Sequence, residues 1–186
     1  MAETSVWRVL HERHLASYRV FGVSELGMSR IDTGQTHVFY RIDSVDWVNV
    51  IPVTADGHVV MVRQYRHGLG RATLEIPGGI VDAGESPVAT AARELLEETG
   101  WQAGAIEPIG SVSPNPALFG NRLHAFLATG CEHVGEIVND ETEHTTVELV
   151  RREDIDAKLL AGEIDHALVH AAFGFWRLRN DASSPW

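Results

Sequence analysis

The sequence predicts an α/β protein in which a mixed β-sheet lies between helices, with an extra antiparallel sheet at the N-terminus. Segments rich in β-branched and aromatic residues outnumber the helical ones. Two of these segments are joined by Asp56-Gly57, a favourable hairpin turn, whereas others are separated by stretches that imply crossovers. The 186 residues, 44% of them hydrophobic, suffice for one domain with a buried core.

Predicted strands lie before residue 80 and again after residue 105. They are predicted at residues 17–24, 37–42, 47–53, 58–65, 74–76, 106–112, 122–129 and 145–150. A loop rich in Pro and Asn at 113–121 and an acidic loop at 135–144 separate the later strands. Helices are predicted at 87–99, 152–161 and 165–179.

The first helix has signals at both of its ends. Ser86 is a favourable N-cap, and Pro87 takes the first helical position, where its missing N–H costs nothing. Gly100 is placed to end the helix in the left-handed conformation. The pair Gly78-Gly79 precedes the helix and lets backbone atoms approach a metal or a phosphate.

Three carboxylates share one face of this helix. At about 100° per residue, Glu97 and Glu98 both lie within roughly 60° of Glu94. Arg93 precedes Glu97 by four residues and can pair with it. Converging carboxylate oxygens are the ligands that Mg²⁺ prefers, although a solvated acidic face is the alternative. The residues predicted to pack on the sheet are Val88, Ala91, Ala92 and Leu95.

The formal net charge of −11, without any run of Lys or Arg, argues against binding to nucleic acid. If the substrate is nevertheless a phosphate compound, metal ions must supply positive charge. No signal peptide and no membrane-spanning apolar segment are expected. The single cysteine, Cys131, forms no internal disulfide and fits a reducing compartment, so a cytoplasmic location is predicted.

Residues 79–101 resemble the Nudix box at every defined position. The order is Gly79, five residues, Glu85, seven residues, Arg93-Glu94-Leu95, one residue, Glu97-Glu98, one residue, Gly100 and Trp101. Four further segments resemble the ADP-ribose pyrophosphatase branch of that family. They are residues 62–66, 74–77, 140–143 and 162–165.

The resemblance implies a Nudix fold and a hydrolase that cleaves a nucleoside diphosphate linked to another group. Two or three Mg²⁺ or Mn²⁺ ions would neutralise charge and activate the attacking water. By resemblance, Glu94 and Glu98 are the main metal ligands, and Glu97 is an accessory ligand or base. The backbone carbonyl of Gly78 is a further ligand.

The remaining box residues are implied to have mainly structural roles. Glu85 and Arg93 match positions that brace the junction of loop and helix, and Glu85 can also reach a metal. Gly79 and Gly100 are structural positions of the box.

Two predicted functions fall outside the box. Glu141 and Glu143 match a late acidic loop that supplies a catalytic base and a metal ligand, with the assignment between them open. The alternative is a solvated acidic turn. Arg66 matches a contact to substrate phosphate, for which a guanidinium is well shaped, and the alternative is a surface arginine at a strand end.

Substrate choice is predicted to depend on the 113–121 loop and its surroundings. Pro116 lies sixteen residues beyond Gly100, as in ADP-ribose pyrophosphatases, which favours a nucleoside diphosphate sugar. Phe119 can stack on a base or cover the core. Some ADP-ribose enzymes carry an acid before the arginine that matches Arg122, and here Asn121 stands in its place. GDP-mannose or a related nucleotide sugar therefore stays open.

On the last predicted helix, His166 and His170 are four residues apart and Glu163 lies one turn earlier, a spacing that could hold zinc. The segment lacks the glutamate of a metalloprotease helix, so an ordinary helix face is favoured.

The combined prediction is a Mg²⁺-dependent pyrophosphatase that converts ADP-ribose to AMP and ribose 5-phosphate. Residues 1–45 are predicted to form an N-terminal β extension, 46–180 the Nudix hydrolase domain and 181–186 a frayed tail. The branch implies a homodimer with swapped N-terminal sheets. The alternatives are a Nudix enzyme for nucleoside triphosphates or dinucleoside polyphosphates, and a non-catalytic ligand sensor.

Overall fold

The computed structural model describes residues 6–139 and 144–180. Clustering of contacts divides the chain into two units. The first comprises the residues up to 45 together with 113–122, and the second comprises 46–112 and the residues from 123 onward. The predicted tail, 181–186, lies outside the described residues.

The first unit contains a three-stranded antiparallel sheet in the order β1-β2-β3. Its strands are β1 (Trp7–Ser17), β2 (Gly22–Arg30) and β3 (Thr36–Asp43). The strand predicted at 17–24 is wrong, because Tyr18 to Phe21 form the turn between β1 and β2. The rings of Tyr18 and Phe21 lie 4.9 Å apart, so the aromatic content of this segment reflects packing across a turn.

Large apolar side chains are exposed on the first unit of this single chain. Val20, Phe21 and Phe39 have 56%, 38% and 43% of their surface exposed. The 113–122 segment of the same unit lies beside β3, where the N–H of Ile42 donates to the carbonyl of Leu118 at 2.8 Å.

The second unit contains an eight-stranded mixed sheet, as predicted. The strands are β4 (Trp47–Thr54), β5 (His58–Arg66), β6 (Arg71–Glu75), β7 (Gly78–Ile80), β8 (Trp101–Gln102), β9 (Ala105–Val112), β10 (Leu123–His133) and β11 (Thr145–Arg151). The central order is β11-β5-β4-β10-β8, with β6 on β5, β7 on β4 and β9 on β10. Only the β4–β10 pair is parallel among these described strands. The predicted Asp56-Gly57 turn joins β4 to β5.

The described part of the second unit also contains three α-helices. They are α1 (Pro87–Thr99), α2 (Ile155–Leu160) and α3 (Ala167–Asn180). The predicted ends of α1 are confirmed: the Ser86 hydroxyl accepts from the N–H of Ala89, and Gly100 adopts a φ of 72°. The helix predicted at 152–161 begins instead with a 3₁₀ turn, Arg152–Asp154. No helix of the described residues is long and apolar enough to span a membrane.

Helices α1 and α3 cover opposite sides of this sheet, hereafter its α1 face and its α3 face. On the α3 face, Phe173 and Trp176 of α3 join a core with strand residues such as Met61. On the α1 face, Ala91 and Leu95 pack with Val48, Val50 and Phe126.

The predicted apolar side of α1 is partly wrong. Val88 and Ala92 are exposed, whereas Glu94 and Glu98 are buried with only 9% and 6% of their surface exposed. The helix is therefore turned so that part of its acidic side lies against the protein. Gly79 of β7 leaves the space that the Glu94 carboxylate occupies.

Candidate active site

The core of the site is the contact between α1 and the glycines of β7. The Glu98 carboxylate accepts a hydrogen bond from the backbone N–H of Gly78 at 3.0 Å. The Glu94 carboxylate lies over Gly79, where an added Cβ would come within 2.2 Å of Oε1. Two acidic side chains thus reach the two residues of β7 that have no side chain, and this lets their oxygen atoms come close together.

Gly78 is constrained on the other side of the strand. A Cβ there would lie 2.3 Å from the carbonyl oxygen of Val48 and 2.4 Å from the amide nitrogen of Asn49. Gly78 pairs with Asn49 in the ladder between β7 and β4. The structure places the N–H of Gly78 on Glu98, and the ligand role of its carbonyl stays a prediction.

Arg93 is the hub of the charged groups around this contact. Its Nη1 donates to Glu94 and to Glu97, both at 2.9 Å. Its Nε and Nη2 donate to the two oxygens of Glu85 at 3.3 and 3.1 Å. The predicted pair with Glu97 is observed, and one guanidinium joins the loop before α1 to two turns of the helix.

The hydrogen bonds around Arg93 also shift the pKa of Glu85 and of Arg93 itself. The bond from Arg93, with a second from the Thr90 hydroxyl at 2.7 Å, holds the pKa of Glu85 below its usual range. The same bond with Glu85, against the effect of burial, raises the pKa of Arg93. Glu85 is therefore ionised and Arg93 is charged at neutral pH.

The C-terminal end of α1 is held by the segment before β11. The Thr145 hydroxyl donates to the backbone carbonyl of Glu98 at 2.9 Å, and the N–H of Val138 donates to that of Glu97 at 2.8 Å. Asn139 accepts from both the N–H and the hydroxyl of Thr145. Glu141 and Glu143, predicted as base and metal ligand, lie outside the described residues.

Arg66 is placed at the end of β5 and has a buried partner that the sequence did not predict. Its Nε and Nη2 donate to the two oxygens of Glu75 at 2.8 and 2.7 Å. Glu75 has 1% of its surface exposed. The sequence does contain a signal for a buried acid here, because Glu75 stands between the apolar residues Leu74 and Ile76 in a segment that is buried.

The other predicted substrate contacts belong to the first unit. Pro116 and Arg122 are exposed, and Phe119 is half-buried in a bridge with Ile42 of β3. Asn121 is buried, with 4% of its surface exposed, and its amide donates to the carbonyl of Val45 at 2.8 Å. Asn121, which departs from the family pattern, thus stabilises the loop to which it belongs.

The two histidines considered for zinc serve the start of α3. His170 Nε2 hydrogen-bonds the carbonyl of Ile164 at 2.8 Å, and His166 Nδ1 accepts from the N–H of Leu168 at 3.2 Å. Over residues 6–139 and 144–180, no three Asp, Glu, His or Cys side chains are grouped closely enough to hold an ion as they stand.

Comparison with known proteins bears on this arrangement. A protein-family profile, the NUDIX domain, matches residues 45–173. A protein of Bacillus subtilis called ADP-ribose pyrophosphatase is 35% identical over 133 residues, which are 71% of this chain and 72% of that one. The chain belongs to the Nudix family.

This Nudix chain resembles further proteins. A Mycobacterium tuberculosis protein, also called ADP-ribose pyrophosphatase, is 40% identical over 89 residues, or 47% of this chain, but the match spans only 43% of that protein. A crystal structure of an ADP compounds hydrolase superposes with a TM-score of 0.82 over 95% of this chain and 96% of its own, at 22% identity. That likeness confirms the predicted Nudix fold, and the matched profile confirms the predicted family.

Proposed function

We propose that this Nudix protein hydrolyses the diphosphate bond of nucleoside diphosphate sugars, with ADP-ribose, cleaved to AMP and ribose 5-phosphate, as the first candidate. The observation that carries the proposal is the burial of Glu94 and Glu98 against the glycines of β7. Buried carboxylates are costly unless they serve a partner of opposite charge. The names of the B. subtilis and M. tuberculosis relatives supply the substrate class.

Nudix hydrolases generally need divalent metal ions, and the donors here fit that need. Carboxylate oxygens are hard ligands suited to Mg²⁺ or Mn²⁺. We assign Glu94 and Glu98 as the main ligands of two or three ions, with Glu97, Glu85 and the carbonyl of Gly78 as further ligands. Such ions would polarise the phosphoryl oxygens and lower the pKa of bound water.

The chain's own residues prepare the site for these ions. Arg93 bonds to Glu85, Glu94 and Glu97, which keeps carboxylates that repel each other together. An ion held by Glu94 or Glu97 would take the place of contacts that these carboxylates now make with Arg93. The bond from the N–H of Gly78 fixes Oε2 of Glu98 in place.

The base that takes a proton from the attacking water is assigned to Glu141 or Glu143, with Glu97 next. The bonds of Asn139 and Thr145 support this assignment, because they fix both flanks of residues 140–143 beside the backbone of Glu98. A positioned base contributes about a hundredfold to ten-thousandfold in rate.

Substrate contacts are assigned to Arg66 for the diphosphate and to Pro116, Phe119 and Arg122 for the remainder of the molecule. Because Asn121 is committed to Val45, it does not replace the acid that some ADP-ribose enzymes carry at this position. This favours testing GDP-mannose beside ADP-ribose.

A homodimer with swapped N-terminal sheets is the assembly that the exposed apolar residues of the first unit support, Val20, Phe21 and Phe39 among them. Sedimentation at micromolar concentration should then give twice the chain mass of 20.5 kDa. A stable monomer would contradict the swapped sheet. The cytoplasmic location stays a prediction.

The deciding experiment is a panel of substrates with either Mg²⁺ or Mn²⁺ and identification of the products. It includes ADP-ribose, GDP-mannose, nucleoside triphosphates and dinucleoside polyphosphates. The highest kcat/KM is expected for ADP-ribose, with AMP and ribose 5-phosphate as products. A higher value for a triphosphate would redirect the proposal, and ligand binding without any turnover would identify a non-catalytic sensor.

A further inference from the structure

The pair formed by Arg66 and Glu75 is unusual for a sheet interior. Glu75 has 1% of its surface exposed, whereas Arg66 keeps 37% of its side chain exposed. One partner is thus anchored in the protein and the other reaches towards solvent. In this arrangement the buried carboxylate of Glu75 fixes the orientation of the solvent-accessible guanidinium of Arg66.

Stability does not explain why a carboxylate occupies position 75. Removal of a charge from water is costly, and a buried ion pair often contributes less than apolar residues of the same volume. Leu74 and Ile76, on either side of Glu75, belong to the apolar core of the α3 face, whereas Glu75 leaves the strand on the opposite face. The role of Glu75 therefore lies in its contact with Arg66 and not in a contribution to stability.

Several bonds fix the orientation of the Glu75 carboxylate. Oε1 accepts from the Thr73 hydroxyl at 2.5 Å as well as from Nε of Arg66. Oε2 accepts from Nη2 of Arg66 and lies 4.0 Å from Nε2 of His166. Burial, the largest single effect, would raise the pKa of Glu75, but the hydrogen bonds and charge of Arg66, the Thr73 hydroxyl and the nearby His166 together leave the pKa below its usual range. The carboxylate is thus ionised at neutral pH.

The pair lies on the same sheet face as the acidic side of α1. Gln64 pairs with Thr145 across β5 and β11, and the Thr145 hydroxyl bonds the carbonyl of Glu98. Arg66 is two residues beyond Gln64, so its side chain leaves the strand on that face. A second connection runs along the chain, because Glu75 precedes by three residues the Gly78 whose N–H bonds Glu98.

We propose that Glu75 is a positioning residue that holds one edge of the Arg66 guanidinium and thereby presents its opposite edge to the substrate diphosphate. A guanidinium has five N–H donors in a rigid plane, and Glu75 engages those on the edge of Nε and Nη2. Fixing the plane reduces the ordering cost of a two-pronged phosphate contact. This inference rests on the proposed function, in which Arg66 contacts phosphate.

The test compares Glu75→Gln, Arg66→Ala and the double variant by kinetics on the best substrate of the panel. Glu75→Gln keeps the shape but loses the charge that orients Arg66. KM is expected to rise about tenfold to a hundredfold while kcat changes much less. In the Arg66→Ala background the same substitution should have almost no further effect on KM. An unchanged KM, or an equal effect in both backgrounds, would overturn the inference.

The matched control is Glu148→Gln. Glu148 accepts from Nε of Arg63 at 2.7 Å, so it is the carboxylate partner of another β5 arginine, one on the α3 face. Its loss should leave KM unchanged. If Glu75→Gln does not fold, Thr73→Val carries the test, since it removes the hydroxyl on Oε1 and should raise KM in the same direction. An unchanged KM in that folded variant would count against the inference.

A binding measurement separates this inference from the proposed function. Calorimetric titration with inorganic pyrophosphate in the presence of Mg²⁺ needs no turnover of a nucleotide sugar. The parent protein is expected to bind, and Glu75→Gln should weaken binding about tenfold. If no compound of the panel is cleaved but this loss is seen, the proposed function fails and the role of Glu75 stands. Equal binding by both proteins, or none by the parent, overturns the role of Glu75.

Discussion

The two faces of the larger sheet bury different kinds of residue. The α3 face is covered by a continuous apolar core that includes Met61, Phe173 and Trp176. The α1 face has a smaller apolar cluster and, beside it, the buried carboxylates of Glu94 and Glu98. Apolar burial is the main favourable term in folding, whereas buried charge is costly. Stability therefore depends mainly on the α3 face, whereas the α1 face is adapted to chemistry.

Phe173→Ala is the strongest test of the α3 face. Phe173 has 1% of its surface exposed, and truncation of a buried phenylalanine costs about 3–5 kcal/mol of unfolding free energy. Urea unfolding measures the loss, and kcat of the remaining folded protein should stay close to that of the parent. Leu178→Ala, at a residue of α3 with 54% exposure, is the control and should change little. A loss of kcat without a loss of unfolding free energy would show that the α3 face serves catalysis and not stability.

Glu98→Gln is the corresponding test of the α1 face. The amide keeps the shape and can still accept from Gly78, but it removes a charged metal ligand, so kcat should fall at least about a hundredfold, or about 2.7 kcal/mol. The unfolding free energy should hardly change. The assays are turnover across a Mg²⁺ titration and urea unfolding. Near-normal turnover would remove Glu98 from the metal site.

Thr145→Val tests the link between the end of α1 and β11. The variant leaves the carbonyl of Glu98 without the Thr145 hydroxyl, and a lost buried hydrogen bond costs about 1–3 kcal/mol. Both unfolding free energy and kcat should fall, because Thr145 contacts the backbone of Glu98 and the side chain of Asn139. Thr146→Val, at the exposed neighbour, provides the control. Lower stability with unchanged kcat would make the bond purely structural.

The smallest effect on activity is expected for Cys131, which tests whether the α1 face is accessible to solvent beyond its carboxylates. It packs in the apolar cluster of that face, and burial raises the pKa of its thiol to about 11. The folded protein should therefore react very slowly with a thiol reagent at pH 8, with no change in kcat, since the thiolate is the reactive form. Reaction should become rapid in urea. Fast labelling under native conditions would show that this face is open well beyond its carboxylates.

Local sequence signals predicted the parts of the fold that depend on few residues. The caps of α1 at Ser86 and Gly100 and the turn at Asp56-Gly57 are examples, because turn and cap chemistry acts within four residues. The strand predicted at 17–24 was wrong for the opposite reason. Its pairing is set across the sheet, with Trp7 opposite Arg30 and Ser17 opposite Gly22, and no local pattern encodes that register.

The composition of the site could be predicted better than its packing. The box predicted which carboxylates gather, but helical periodicity suggested that Val88 and Ala92, rather than Glu94, would be buried. That outcome depends on Gly79, whose lack of a side chain admits the carboxylate. Glu75 was missed because its partner Arg66 lies on another strand, so the ion pair exists only once β5 and β6 are paired.

Substitutions at the two neighbouring glycines of β7, Gly78 and Gly79, should differ in the amount of protein that accumulates. A side chain at position 79 meets the end of the Glu94 side chain, which can swing away, so such an allele should yield normal amounts of an inactive protein. A side chain at position 78 meets the main chain of Val48, which has no such freedom, so the protein itself should be lost to degradation. Adjacent missense changes at two glycine codons thus share a phenotype but differ on an immunoblot.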